Sequence, residues 1–429
     1  MRAYFIRRLL LIPPTLIGVT FIVFLMTRFV PGGPVERMIT EMRKASADGG
    51  ARGGAAGAQQ ALSEDQIEQL KEFFSLDDEN YVRSYLKWLG VWPKDILRKR
   101  IEFNAGETTK QVRTAMTREL LAIHRDGPGQ FRVTLPDGSD AGPWRVRQKP
   151  LGVIAGQTAE QAAAGPVDRA EIYRMQFSGA VTGDLGRSSR YQDTVTSIIA
   201  DRLPPTAFYG IMTLLISYLV SIPLGVYKAL NHNRWGDNLS SVLVFIGYAI
   251  PAFVLGSLLS TWLGVKLDIL PSDSFTSYDF ADKSAFGKVG DILSHAALPL
   301  TCYTIGAFAF LTMLAKNQLM DNLSSDYIRT AVAKGLTFQQ AVRRHAFRNA
   351  LIPIATNLGQ LTTALIAGSF LVERVFNING FGLLFFESAV DRDFAVVMGA
   401  TLLSALLIML GNILSDVLVA LVDPRVKFE

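Results

Sequence analysis

Residues 9–30 read LLLIPPTLIGVTFIVFLMTRFV, with Arg28 near the far end as the one charged side chain. A helix needs about 20 apolar residues to cross roughly 30 Å of hydrocarbon, and this run supplies them. Five further runs of similar length follow, at 205–229, 239–265, 294–315, 353–373 and 395–422. Inside lipid only helices and closed barrels satisfy the backbone. Barrel strands would be about ten residues long and would alternate in polarity, and these runs do neither. The expected fold is therefore an all-α polytopic membrane protein with six spans. The first run is too long for the core of a cleaved signal peptide and reaches Pro31 without a small-residue cleavage site, so it is expected to remain in place.

The apolar share of 49% averages two regions of different character. Residues 40–200 are charged and Gly/Ala-rich, while the rest is dominated by the apolar runs. Three parts follow: 1–30, the N-terminus and first span; 31–204, an insertion between spans one and two; and 205–429, a five-helix core. Cys302 is the lone cysteine and lies within the fourth run, so no internal disulfide framework is possible. The net charge of +5 is small, and basic residues in such a chain report orientation rather than nucleic acid. One side carries Arg2, Arg7, Arg8, Lys228, Arg234, Lys316, Arg329, Lys334, Arg343, Arg344, Arg348, Arg425 and Lys427. The other carries Lys266, Lys283, Lys288, Arg374 and Arg392. The first side is expected to be cytoplasmic, with both termini there and the 31–204 segment outside.

The insertion is expected to be a small α+β domain. Residues 45–60 read as a flexible linker. Ser63 and Gln66 form a capping box for a helix with an Ile67, Leu70, Phe73 and Phe74 stripe. YVRSYLKWL at 81–89 predicts a short amphipathic helix. GQFRVTLPDGSDAGPWRVRQ predicts two strands around a Pro-Asp-Gly turn. His124 stands apart from any metal-ligand spacing and reads as a solvated side chain.

Between spans four and five, within 316–352, lies YIRTAVAKGLTFQQAVRRHAFRNALIP at 327–353. A helix over 325–334, a break at Gly335 and a second helix capped by Thr337 with Gln340 predict a rigid knob. Small residues at Ala331 and Gly335 let a partner approach, and Arg343, Arg344 and Arg348 make a basic flank. The residues alone fit a docking knob and an interfacial anchor equally well.

This stretch resembles the coupling-loop motif of binding-protein-dependent ABC permeases: Glu-Ala-Ala, three residues, Gly, nine residues, then an apolar residue and proline. Ala331 and Gly335 match, while Arg329 and Thr330 replace the first two positions, as in the peptide-permease branch. His345, Arg348, Asn349 and Pro353 also follow that branch. MRAYFIRRLLLIPPT, PGGP at 31–34, GDLG at 183–186, IGYAIPAF at 246–253, VERVFNINGFG at 372–382, RDF at 392–394 and VDPR at 422–425 extend the resemblance over nearly the whole chain except 90–175. IGYAIPAF and DPRVKFE look most like the microcin C type of peptide permease. The resemblance implies the type I ABC importer permease fold in a bacterial inner membrane. It implies a second, different permease, cytoplasmic ATPases that bind ATP and Mg, and an extracytoplasmic binding protein delivering a peptide. It also implies an ATPase-coupling site at Thr330, Ala331, Lys334, Gly335, Leu336, Arg343, His345, Arg348, Asn349 and Pro353.

The chain has no Gly-x-x-x-x-Gly-Lys-Ser/Thr phosphate loop, so ATP is expected to bind elsewhere and the chain to be no enzyme. Asn357, Gln360 and Thr363 are three apart on one face of the fifth run. They line a translocation path or bond between helices. Pro223 and Pro251 read as simple kinks, and Asn412 with Asp416 as packing or snorkelling. The 376–394 segment is too short to span. With Asn379, Gly380 and Gly382 it reads as a re-entrant or surface helix facing the binding protein, flanked by Glu373 and Arg374 as snorkelling anchors. An ion-coupled transporter is the rival, but it calls for paired carboxylates mid-membrane, which the runs lack.

Overall fold

The computed structural model describes residues 2–29, 80–104, 106–114, 119–149, 168–358 and 370–422. They fall into two compact units, Met1–Val23 with Val195–Glu429, and Phe24–Thr194. Helices are numbered in chain order: α1 Arg2–Phe29, α2 Tyr81–Leu89, α3 Val195–Leu230, α4 Trp235–Ala249, α5 Ala252–Leu259 and α6 Ala285–Leu323. Then come α7 Asp326–Ala333, α8 Phe338–Ala341, α9 Phe347–Thr356, α10 Phe370–Val375, α11 Phe381–Val390 and α12 Phe394–Val422.

In the first unit α1, α3, α6 and α12 are long and apolar enough to cross a membrane, and α4 with the α5 segment to Lys266 adds a bent pair. Six spans were expected. The described residues supply four, or five with that pair, because the 353–373 run lies largely outside them. The third run is not one straight helix but turns by 94° between α4 and α5. Pro251 explains this: its ring excludes the preceding residue from helical geometry, and Ile250 is extended at φ −86° and ψ 122°. Pro251 therefore breaks the helix, whereas Pro223 sits in an uninterrupted α3. The insertion boundary also moves, from 204/205 to 194/195. The apolar run marks only the part of α3 suited to hydrocarbon, while its polar first turns, with Asp201 and Arg202, extend the helix beyond it.

Helix α3 packs on α6 through small residues. Thr213, Ser217, Ser221, Gly225 and Ala229 recur every fourth position and are all buried. In lipid, close backbone approach rather than hydrophobic burial drives such pairing. At Gly225 the approach is tightest: an added Cβ would lie 2.5 Å from the Ala315 Cβ and 3.0 Å from the Thr312 carbonyl oxygen. The Ser221 hydroxyl donates to the Phe308 carbonyl at 3.1 Å.

Among the described residues of the second unit are six strands: β1 Lys94–Phe103, β2 Thr109–Arg113, β3 Leu120–Gly127, β4 Gln130–Thr134, β5 Trp144–Lys149 and β6 Asp168–Gln176. They form two antiparallel three-stranded sheets, ordered β1-β6-β5 and β2-β3-β4. Ile101, Phe103, Trp144 and Ile172 from one sheet meet Val112, Leu121 and Ile123 from the other in a single core. Helix α2 forms where the amphipathic pattern placed it, with the Asn80 side chain accepting from the Val82 and Arg83 N–H groups. The two strands expected around Pro136-Asp137-Gly138 exist, but they are not partners. β4 pairs with β3 and β5 with β6, so the turn carries the chain from one sheet to the other. Alternation reports which face is buried and does not name the neighbouring strand. His124 is half-buried, with its ring nitrogens bonded to the Thr109 and Thr134 hydroxyls, rather than solvated as expected. The 45–60 linker, the Ser63–Gln66 cap and PGGP lie outside the described residues.

Asp168 joins this sandwich to its loops. Burial acts to raise its carboxyl pKa, but N–H groups of Gly129 and Arg169, the Gln148 amide and Arg125 outweigh it and hold the group below the usual carboxylate range. A depressed folded value means stabilisation that is complete above the unfolded value of about 3.9 and fades as pH falls through the lower folded one. The urea midpoint of the sandwich should therefore differ between wild type and Asp168→Asn near neutral pH, and that difference should shrink below about pH 4.

Candidate coupling site

The knob after α6 is built as the capping signals dictate. Helix α7 ends at Lys334, and Gly335 takes φ +97°, a left-handed conformation that side-chain-bearing residues adopt at a cost. The Gly335 N–H donates to Val332 and the Leu336 N–H to Ala331, closing the helix end. Thr337 then caps α8: its hydroxyl accepts from the Gln340 N–H at 3.3 Å, and the Gln340 side chain accepts from the Thr337 N–H at 3.1 Å. A π-helical turn, Val342–Ala346, leads into α9.

The base of the knob is fixed. Ile328, Ala341, Val342, Ala346 and Ala350 pack on Ala229 at the end of α3 and on Leu319 of α6. Ala331 is half-buried against this core, and Leu336 is half-buried. The outer surface is open: Thr330, Lys334, Gly335, Arg343, His345, Arg348 and Asn349 are exposed. Asn349 does more than face solvent, donating to the Tyr327 hydroxyl at 3.2 Å, which bonds Asn322 at 2.5 Å. That chain ties α7 to α9 and α6. Sequence reading missed three exposed apolar side chains on this surface, Tyr327, Val332 and Phe338. No local signal marks them: Val332 is one turn from the buried Ile328 on nearly the same helix face, and only the position of the packed base leaves it exposed.

Beneath the knob is a buried ion cluster that the sequence concealed. Lys228, fully buried, lies 2.9 Å from Asp237 Oδ1 and donates to the Ser240 and Ser241 hydroxyls. Lys316 reaches both Asp237 oxygens at 2.8 and 2.7 Å. Asp237, at the start of α4, thus binds the ends of α3 and α6. The orientation count takes Lys228 and Lys316 as charges of the connections after spans two and four, but both lie within helices and their ammonium groups are buried on Asp237. Asp416 of α12 pairs with Arg8 of α1 and accepts from the Tyr4 hydroxyl at 3.2 Å. Of the two readings of Asp416, packing and snorkelling, these contacts fit packing, since they join α12 to α1.

Other expected site residues are placed as follows. Asn357 donates to the Pro353 carbonyl of its own helix at 2.9 Å, while Gln360 and Thr363 lie outside the described residues. Asn379 is exposed, but Gly380 and Gly382 are buried. Glu373 is not a snorkelling anchor. Buried, it accepts from the Gly382 and Leu383 N–H groups and caps α11, and the Thr206 hydroxyl accepts from the Phe381 N–H at 2.8 Å. Its neighbour Arg374 is exposed and pairs with Glu387 at 3.0 Å. Ser217, Ser240, Thr301 and Thr304 line an open cleft of about 420 Å³ between α3, α4 and α6.

Comparison with known proteins follows from this geometry. Residues 221–428 match the model for the binding-protein-dependent transport system inner membrane component. The inner membrane ABC transporter permease protein YejB of Escherichia coli O157:H7 is 32% identical over the whole of both chains. The peptidoglycan transport system permease protein YejB of Agrobacterium fabrum is 30% identical over all of this chain and 99% of its own. The oligopeptide transport system permease protein AppB of Bacillus subtilis is 28% identical over both full lengths. Among solved structures, an inward-facing MetNI methionine ABC transporter is 18% identical over 53% of this chain and 97% of its own, with a TM-score of 0.41. Full-length identity leaves no place for the ion-coupled rival, and it makes the chain a multi-pass inner-membrane transport subunit whose ATP is hydrolysed by separate subunits. The chain belongs to the permease family of binding-protein-dependent ABC transporters, in the branch that contains the peptide permeases.

Proposed function

We propose that this chain forms, with a second and different permease, the membrane pathway for peptides brought by an extracytoplasmic binding protein. Both termini and the knob face the cytoplasm. There an ATPase subunit, holding ATP and Mg, grips the outer surface of the knob. Closure of the ATPase pair swings α7–α9 with the attached ends of α3 and α6, a rigid-body switch between two packed states. The observation that supports this best is the division of the knob into a packed base and an open apex. A segment that only anchors the loop has no need of a base locked to two spans. The peptides are oligopeptides or microcin C-like peptides. They pass the Asn357, Gln360 and Thr363 face, and Asn379 meets the binding protein at a turn shaped by Gly380 and Gly382.

Gly335 offers the test. An added Cβ there meets nothing within 4 Å, so a substitution alters the apex without disturbing the base. The left-handed backbone adds a local cost of about 1–2 kcal/mol for any other residue. Gly335→Trp is expected to insert and fold normally while its capture of the ATPase falls at least about tenfold, or ~1.4 kcal/mol. Co-purification at the wild-type level would remove the docking role.

A further inference from the structure

We propose that an anionic phospholipid is held as a specific ligand in the groove between α4 and α6, with its acyl chain along the groove and its headgroup over the Lys228–Asp237–Lys316 cluster. The site needs these helices to lie in a bilayer and does not depend on which side the knob faces.

The cluster has a charge left over. Lys228 and Lys316 share one carboxylate, and among the described residues no second acid pairs with either lysine. The third basic group at Asp237, His232 Nδ1 at 3.4 Å, can only add positive charge. Lys228 is wholly buried and Lys316 nearly so. A buried charge without its counter-ion is costly, so this end of the helix pair favours an anion. Arg234, exposed just before α4 and bonded to the neutral Asn231 at 3.2 Å, adds a cation that a headgroup can reach. The depth is right for one. Residues 235–238 precede the apolar run that starts at Leu239, and Trp235, 79% exposed, stands where such rings mark the membrane interface.

The groove starts at the cluster. It is open, has a volume of about 520 Å³, and is lined by Val242, Phe245 and Tyr248 of α4 and Phe310 and Met313 of α6, with Ser241 at the cluster end. Ser241 ties the two parts together, accepting from Lys228 at 2.6 Å and donating to the Asp237 carbonyl at 2.8 Å. Lys316 follows Met313 by one turn of α6, on the same face. From Ser241 to Tyr248 the groove runs roughly 10 Å along α4, within a leaflet about 15 Å deep.

Apolar walls with a cationic end fit an anionic amphiphile, and basic pockets between spans are where acidic headgroups bind. A peptide fits poorly. Its backbone amides would need partners, and among the described residues the groove offers only the Tyr248 phenol and the Ser241 hydroxyl, which already donates and accepts. A helix of a second permease would fill the walls, but it would have to bring an acid of its own to the cluster.

The full-length chain in nanodiscs of equal phosphatidylglycerol and phosphatidylethanolamine provides the test, with native mass spectrometry counting the lipids that stay bound on release. Wild type should retain one phosphatidylglycerol, preferred by at least about fivefold, the worth of one basic residue near an anionic headgroup. Lys316→Met leaves a neutral Lys228–Asp237 pair and should abolish the preference, while Lys316→Arg should keep it. Val242→Trp obstructs the groove and should release the lipid. Retention without headgroup preference, as annular lipid gives, overturns the proposal, and so does an unchanged preference in Lys316→Met. If Lys316→Met fails to fold, Val242→Trp decides, because it alters only an exposed wall: undiminished retention there counts against the site. A photoreactive benzoylphenylalanine in place of Val242, activated in bacterial membranes, separates the occupants. A crosslink to phosphatidylglycerol is expected, and a crosslink to another protein instead overturns the proposal.

Discussion

Asp237→Ala is expected to be the most damaging single substitution in the membrane unit, lowering stability by about 3–5 kcal/mol. The carboxylate is the shared counter-ion of Lys228 and Lys316, and it also accepts from the Asn233 N–H at 3.2 Å. Without it, two ammonium groups face each other where water scarcely enters. The loss has little to do with the attraction of a well-formed pair, which desolvation largely offsets. It comes from leaving charges buried and unpaired. The sign of that argument can be checked. Combining Lys228→Met, Asp237→Leu and Lys316→Met removes every charge, and it should recover most of the stability that Asp237→Ala loses. The measurement is the thermal unfolding midpoint of the purified permease in detergent. A triple variant as unstable as the single one would show that hydrogen bonds to Ser240 and Ser241, and not charge, hold the three helix ends together. Because Asp237 joins α3, α4 and α6 directly beneath the knob, the triple variant should also keep its shape there and still bind its ATPase.

Gly225→Leu should separate α3 from α6, at a cost of about 1–3 kcal/mol or more. The obstacle is backbone and Cβ, not a movable side-chain tip: Ala315 Cβ, the Thr312 carbonyl and the Lys316 nitrogen all lie within 3.1 Å of the position a Cβ would take. Lys316 is displaced in the same movement, so the effect should couple to the ion cluster. Gly225→Ala alone should weaken the pair less than leucine does. Adding Ala315→Gly should restore part of that loss, since it removes the nearest of the three contacts and leaves the two backbone ones. A double-mutant cycle on unfolding midpoints measures this coupling. Independent, additive effects would mean that the two helices do not pack through this stripe.

Much of the site was legible in sequence because its determinants are local. The Thr337–Gln340 box and the Gly335 break depend on residues within one turn of each other, and the structure places them as the spacing predicts. Helix α2 and the two strands flanking Pro136-Asp137-Gly138 follow from period alone. The exposed Tyr327, Val332 and Phe338 were harder, because an apolar residue on an amphipathic helix reads as core until the packed face is known.

The sequence by itself determined that the chain lives in a membrane as helices, where the polar stretches lie, and that a capped, glycine-broken knob follows α6. Those features depend on the length of apolar runs and on hydrogen bonds between near neighbours. Only the tertiary structure decided that Lys228, Asp237 and Lys316 meet, that Glu373 turns inward to cap α11, that Pro251 bends its helix pair by 94° and that β4 and β5 belong to different sheets. The partners in those arrangements are brought together by packing, and a linear pattern of polarity carries no record of which distant face a side chain will meet.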